Sequence, residues 1–142
     1  MKIKRHKHTK RVLKYYETNF KYDTKNVNIL IDGTFANEAL KSKINLADQM
    51  PKYFDLPPKK CKLLTTKCAI NETQLLGKAT YGAMLILKQY ECVDCVHKRQ
   101  YVSSEKCFKN ILLDSQTGGD KPKYFVATQV NKNNFKLINI KI

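Results

Sequence analysis

Cys92, Cys95, His97 and Cys107 read C-x2-C-x-H-x9-C and gather three of the chain's five cysteines and one of its three histidines into sixteen residues. Three thiolates and an imidazole make a closed tetrahedral shell that suits Zn2+. Such a shell leaves no position open for water, so the chemistry on offer is structural: a staple on a loop that could not otherwise fold. Taken singly, the cysteines are scattered thiols and His97 a surface side chain. The fourth donor inside the same short segment is what favours a metal. The odd cysteine count, with a basic start but no apolar secretory stretch after it, points to a reducing compartment such as cytosol or nucleus.

Two carboxylates form a second candidate. Asp32 closes a short aliphatic run and precedes Gly33-Thr34, and Glu72 lies on the helix expected after a second short strand. Strand ends of a parallel sheet line its functional cleft. Two carboxylates there can hold Mg2+ or Mn2+ and orient water for attack on a phosphodiester. Plainer roles also fit, with Asp32 capping the next helix and Glu72 on a solvated face.

Charge supplies the third. Lys and Arg number 27 against 12 acids, a net charge of +15 that calls for a polyanionic partner. Lys2, Lys4, Arg5, Lys7, Lys10, Arg11 and Lys14, with His6 and His8, crowd the first fourteen residues without an acid. Tyr15, Tyr16 and Phe20 follow, with flat faces on which unpaired bases can stack, so RNA suits the segment best. A membrane fits poorly: the segment has no wide apolar face or lipidation signal, and the longest apolar run, Ala83–Leu87, is far too short to span.

These groups need a scaffold. At 142 residues and 42% hydrophobic, the chain should build one core, with residues 1–24 as a basic arm that is extended or helical only when bound. Val27–Ile31 predicts a buried strand ended by the Asp32-Gly33-Thr34 turn. Helical spacing covers Ala36–Leu40 and Leu46–Phe54, before a Pro57-Pro58 loop. Lys62–Thr65 predicts a second strand, Lys67–Leu76 and Thr80–Gln89 two helices leading into the metal loop. A helix follows over Ser104–Asp114 with Ser103 or Ser104 as its cap, and Tyr124–Ala127 is a third strand. The alternation in Leu137, Asn139 and Ile140 only weakly suggests a last one. Strands alternating with helices imply a parallel sheet covered on both faces.

Several segments together resemble a known family. They are Met1-Lys2-Ile3 with Arg5, Lys7 and His8; Ile29 to Phe35; Thr65-Thr66-Lys67-Cys68; Leu76-Gly77-Lys78 with Tyr81-Gly82-Ala83; the Cys/His cluster; and Tyr124 to Gln129. In this order they resemble the U-three-protein-twenty-three family of rRNA-processing proteins, PIN-like domains of the small-subunit processome. The resemblance runs from Met1 to Gln129. It implies a three-layer α/β/α PIN-like domain over residues 25–142, with a central parallel sheet and a zinc-stapled loop at 92–107. It further implies nuclear, nucleolar residence and contact with a guide snoRNA, pre-rRNA and processome proteins, without membrane or small-molecule substrate. The family's zinc site carries over to Cys92, Cys95, His97 and Cys107. Its first cysteine often lies further from the second, which leaves Cys61 or Cys68 as replacements for Cys92 if the fold brings them near.

The same resemblance bears on catalysis. Active PIN nucleases ring their metal with three or four acids. Here Asp32 fits the first and Glu72 lies close to the second. Lys106 stands where the third is expected, with Glu105 one residue earlier, and Val130 stands at the fourth. A degenerate set of Asp32, Glu72 and Glu105 implies a non-catalytic RNA-binding assembly factor, the alternative being a metal-dependent endoribonuclease. RNA contacts are then expected from Lys2, Lys4, Arg5, Lys7, His8, Lys10, Arg11 and Lys14. Past Gln129 the family continues with an aspartate, a basic helix and a Pro-Gly-Val-Pro strand. Here either Phe135–Ile140 stands in as a shortened edge strand or the sequence is an incomplete gene product.

Overall fold

The computed structural model describes residues 2–97, 100–117, 119, 122–129 and 139–140, of which 2–6 and 139–140 are described by their backbone alone. Its centre is a five-stranded sheet made of β1 (Val27–Ile31), β2 (Cys61–Thr66), β3 (Glu91–Val93), β4 (Tyr124–Ala127) and β5 (Asn139–Ile140). The order is β3-β2-β1-β4-β5 and every pairing is parallel. Ile29 sits between Leu63 and Phe125, so β1 is flanked on both edges. A strand covered on both faces must be apolar along its length, which is why Val27, Ile29, Leu30 and Ile31 are all buried.

The helices are α1 (Lys2–Phe20), α2 (Gly33–Lys41), α3 (Leu46–Phe54), α4 (Lys67–Leu75), α5 (Tyr81–Leu87) and α6 (Ser104–Thr117). Four of them start directly at a capping side chain. Asp32 accepts from the Phe35 N–H, Asn45 from Ala47 at 3.0 Å and Thr66 from Ala69 at 3.2 Å. Ser103 does the same for α6, its hydroxyl accepting from the Lys106 N–H at 3.3 Å. With α2, α4 and α5 packed on one another and α1 on α3, the result is the expected three-layer α/β/α arrangement. No helix among the described residues is long and apolar enough to cross a membrane.

Three features depart from the sequence expectation. The basic segment is a nineteen-residue helix docked on the domain. Thr9, Leu13 and Tyr16 recur at i, i+4 and i+7; the first two are buried and Leu13 joins the core. Tyr16 meets Tyr22 at 5.9 Å, Tyr22 meets Phe125 at 5.1 Å and Phe125 meets Phe54 at 5.3 Å. This chain of rings ties α1 to β4 and α3. Second, Asp32-Gly33-Thr34 is no free turn but the cap and first residues of α2. Third, Glu91–Val93, expected inside the metal loop, is an edge strand paired with Leu64–Thr66. The expected last strand is present at Asn139–Ile140, beside Val126–Ala127. Residues 135–138 and Val130 lie outside the described residues.

Candidate functional site

Cys95 and His97 follow β3, Cys107 lies one turn into α6, and Cys68 is the second residue of α4. Their donor atoms all lie within 4.8 Å of one another, close enough to bind a metal ion. Cys68 Sγ is 3.8 Å from Cys95 Sγ and 3.2 Å from His97 Nε2, and Cys107 Sγ is 3.6 Å from Cys95 Sγ. With Zn–S of about 2.3 Å and Zn–N of about 2.0–2.1 Å, a tetrahedral ion needs edges of about 3.8 Å between sulfurs and about 3.6 Å from sulfur to nitrogen. The cluster has that size, and the donor set suits zinc.

The ligand set corrects one sequence expectation. Cys92 is exposed and lies outside the cluster, whose fourth member is Cys68. The reason is strand geometry. Neighbouring side chains on β3 point to opposite faces, and Val93 packs against the core, so Cys92 is turned away from it. Cys68 enters because α4 starts where β2 ends, beside β3. Cys61, the other candidate replacement, is buried at the opposite end of β2, where burial pushes its thiol up to about 11.

Burial also pushes the Cys68 and Cys107 thiols up, and the adjacent Cys95 reinforces the shift. Donors oppose it: the Val102 backbone N–H bonds Cys68 and the Thr66 hydroxyl bonds Cys107. A cation at the centre would stabilise the thiolates and displace their protons. His97 turns Nε2 into the cluster, while its buried Nδ1 has no hydrogen-bond partner among the described residues.

The acidic cleft lies at the carboxyl end of β1. Asp32 is 3% exposed, and donors already surround its carboxylate. The Phe35 N–H donates at 2.8 Å and the Thr34 hydroxyl lies 2.8 and 2.9 Å from the two oxygens. The buried Thr128 hydroxyl donates to the second oxygen. Desolvation outweighs these bonds and raises the Asp32 pKa, with Glu72 adding a small like-charge contribution. Glu72 faces the same region but is held by Ser104, whose N–H at 3.0 Å and hydroxyl both donate to Oε2. Glu105 is turned to Lys109, at 2.7 Å, and Lys106 is exposed. Thr34, Thr128 and Ser104 belong to the site too, but as uncharged side chains they carry no signal for metal chemistry in the sequence. Thr34 and Thr128 are visible there only as neighbours in the Asp-Gly-Thr and Val-Ala-Thr-Gln segments.

Of the basic residues, Lys7, His8, Lys10, Arg11 and Lys14 are exposed along α1. Lys10 meets Asp55 at 3.0 Å, a pair so solvated that it contributes little. Lys2, Lys4 and Arg5 have side chains outside the described residues. The aromatic neighbours pack on one another, Tyr15 and Phe20 meeting edge to face at 6.0 Å; Tyr16 also serves the docking of α1, whereas Tyr15 and Phe20 keep 57% and 46% of their surface exposed.

Comparison with known proteins follows the same lines. A family described as Fcf1 matches residues 57–141, which takes in β2 to β4 and all four metal-cluster residues. A solved structure of the PIN domain endonuclease Utp24 superposes with a TM-score of 0.61 at 24% identity. It covers 75% of this chain and 73% of the other, and the likeness shows the PIN fold.

Proposed function

The chain belongs to the Fcf1 family, and from that premise we propose that it is a non-catalytic RNA-binding assembly factor for rRNA processing and small-subunit biogenesis. In this reading it works in the nucleolus, contacts snoRNA and pre-rRNA, and takes its place among small-subunit processome proteins. The narrower kinship is with the U-three-protein-twenty-three branch, which the opening residues and the Cys/His loop favour. A net charge of +15 and the exposed lysines and arginine of α1 supply the phosphate contacts.

One observation carries the non-catalytic reading. Each carboxylate of the acidic cleft is already held by protein donors: Asp32 by Phe35, Thr34 and Thr128, Glu72 by Ser104. A nuclease needs those oxygens free and ionised to collect a divalent cation. Here burial disfavours the charged form of Asp32, and Glu105 and Lys106 bring no acid inward. The cleft is a structural remnant that keeps its cap after losing its metal.

The four-donor cluster is a structural Zn2+ site. When bound, the ion cross-links α4, the segment after β3 and α6 and leaves no coordination position for substrate. The chain's own residues do the rest: Val102 and Thr66 orient the sulfurs and Ser103 caps α6 so that Cys107 faces inward.

The alternative, a metal-dependent endoribonuclease, draws support from the place of Asp32 at the strand end and from the fold it shares with Utp24, described as an endonuclease. Incubating labelled structured RNA with the chain and Mn2+ separates the two, with Asp32→Asn as control. No cleavage is expected. Robust Mn2+-dependent cleavage that disappears in Asp32→Asn would make the protein a nuclease.

A further inference from the structure

Away from the metal cluster and the acidic cleft, the chain exposes an apolar surface where α4 turns into α5. Leu75 and Leu76 are 78% and 65% exposed, and Tyr81 and Leu85 are 58% and 44% exposed. Leu75 and Leu76 flank the turn, while Tyr81 and Leu85 line a groove beyond it, an apolar surface of the kind that partners cover. The backbone presents them deliberately. Gly77 takes φ +83, a conformation that suits glycine, and turns the chain at the end of α4. In α5, Ala83 and Leu87 face the core, which leaves Tyr81, Leu85 and Lys88 on the outer face at i, i+4 and i+7. A shallow groove of about 420 Å3 lies on this face, lined by Lys78, Tyr81, Met84, Leu85 and Lys88.

Charge selects the occupant. Between Gln74 and Tyr90 the only charged residues are Lys78 and Lys88, and both line the groove, which no acid enters. Nucleic acid would require a track of cations, not two lysines around leucines. A second copy would set these lysines against themselves and bring together two chains of charge +15. What fits is a protein segment with an apolar stripe and carboxylates to meet the two lysines.

We propose that the α4–α5 groove docks an acidic amphipathic helix of a partner protein, its leucine-type residues on Tyr81 and Leu85 and its carboxylates on Lys78 and Lys88. The test uses two fluorescein-labelled synthetic helices with one leucine stripe, carrying Glu at both ends or Lys at both ends, titrated with the full chain. The Glu peptide binds and the Lys peptide does not. Leu85→Asp weakens the Glu peptide by about tenfold or more at unchanged helicity and RNA affinity, and Lys78→Glu/Lys88→Glu reverses the preference. Wild-type protein that binds neither peptide, or binds both alike, overturns the proposal. So does a Leu85→Asp variant that breaks up a dimer in sedimentation, which would make a second copy the occupant, or one that loses RNA affinity, which would make the groove part of the RNA face.

Discussion

Replacing Asp32 separates what the acidic cleft does for the fold from anything it does for catalysis. Burial raises its pKa, and the bonds from Thr128, Phe35 and Thr34 lower it only in part. A folded pKa above the unfolded one means that the native state holds the proton more tightly. Its stabilising contribution is then full below the unfolded value of 3.8 and is lost as pH rises through the folded value. At neutral pH the ionised carboxylate therefore weighs against folding, while its oxygen still caps α2. Asp32→Asn keeps a capping oxygen of equal rank and removes the charge. Asp32→Ala loses the cap at about 2 kcal/mol, the upper end of the usual range because the Phe35 N–H is buried.

For a domain of this size about 1 kcal/mol moves Tm by about 3–4 °C, so at pH 7 Asp32→Ala should melt about 6–8 °C below Asp32→Asn, which also lacks the charge, and less far below wild type. Asp32→Asn should melt at or above wild type, and its advantage should shrink as pH falls toward 3.8. Circular dichroism melts across that range, without added Mg2+ or Mn2+, measure both. If Asp32→Asn melts as low as Asp32→Ala at pH 7, or its offset from wild type ignores pH, the carboxylate is not burdened as argued.

Two more outcomes follow. Leu13→Ala should destabilise the protein by about 2–3 kcal/mol in denaturant unfolding, the low end for a buried leucine because its site lies at the edge of the core; an effect below about 0.5 kcal/mol would mean that α1 does not depend on its docked face. Neutralising Lys7, Lys10, Arg11 and Lys14 should weaken binding to RNAs of any sequence and lower the salt slope by about 0.7–0.9 for each phosphate left without its cation, whereas an unchanged slope in filter binding would remove α1 as the anchor.

The parallel sheet was legible because its central strand is almost wholly aliphatic, with Asn28 alone interrupting Val27–Ile31. Ser103 was legible as a cap, and Asp32 as one in the plainer of its two roles, whereas Asn45 and Thr66 show theirs only in the structure. Helix α1 was hidden by its own charge. Basic and imidazole side chains dominate the pattern from Lys2 to Arg11, and the stripe Thr9, Leu13, Tyr16 is narrow and half polar. The metal cluster was half visible. Spacing along the chain joins Cys95, His97 and Cys107, but only the pairing of β2 with β3 brings Cys68 across 27 residues to the same centre. Cys92 misled because a three-residue strand gives almost no periodic signal, yet its pleat turns that thiol outward.

Metal analysis of single-cysteine variants tests the ligand set most directly. Native mass spectrometry should find one Zn2+ on the wild-type chain and on Cys92→Ser, and none on Cys68→Ser, which should also lose order from β3 into α6. A Cys92→Ser protein that sheds its zinc while Cys68→Ser keeps it would contradict the centre described here, and so would folded wild-type protein prepared with care that carries no metal.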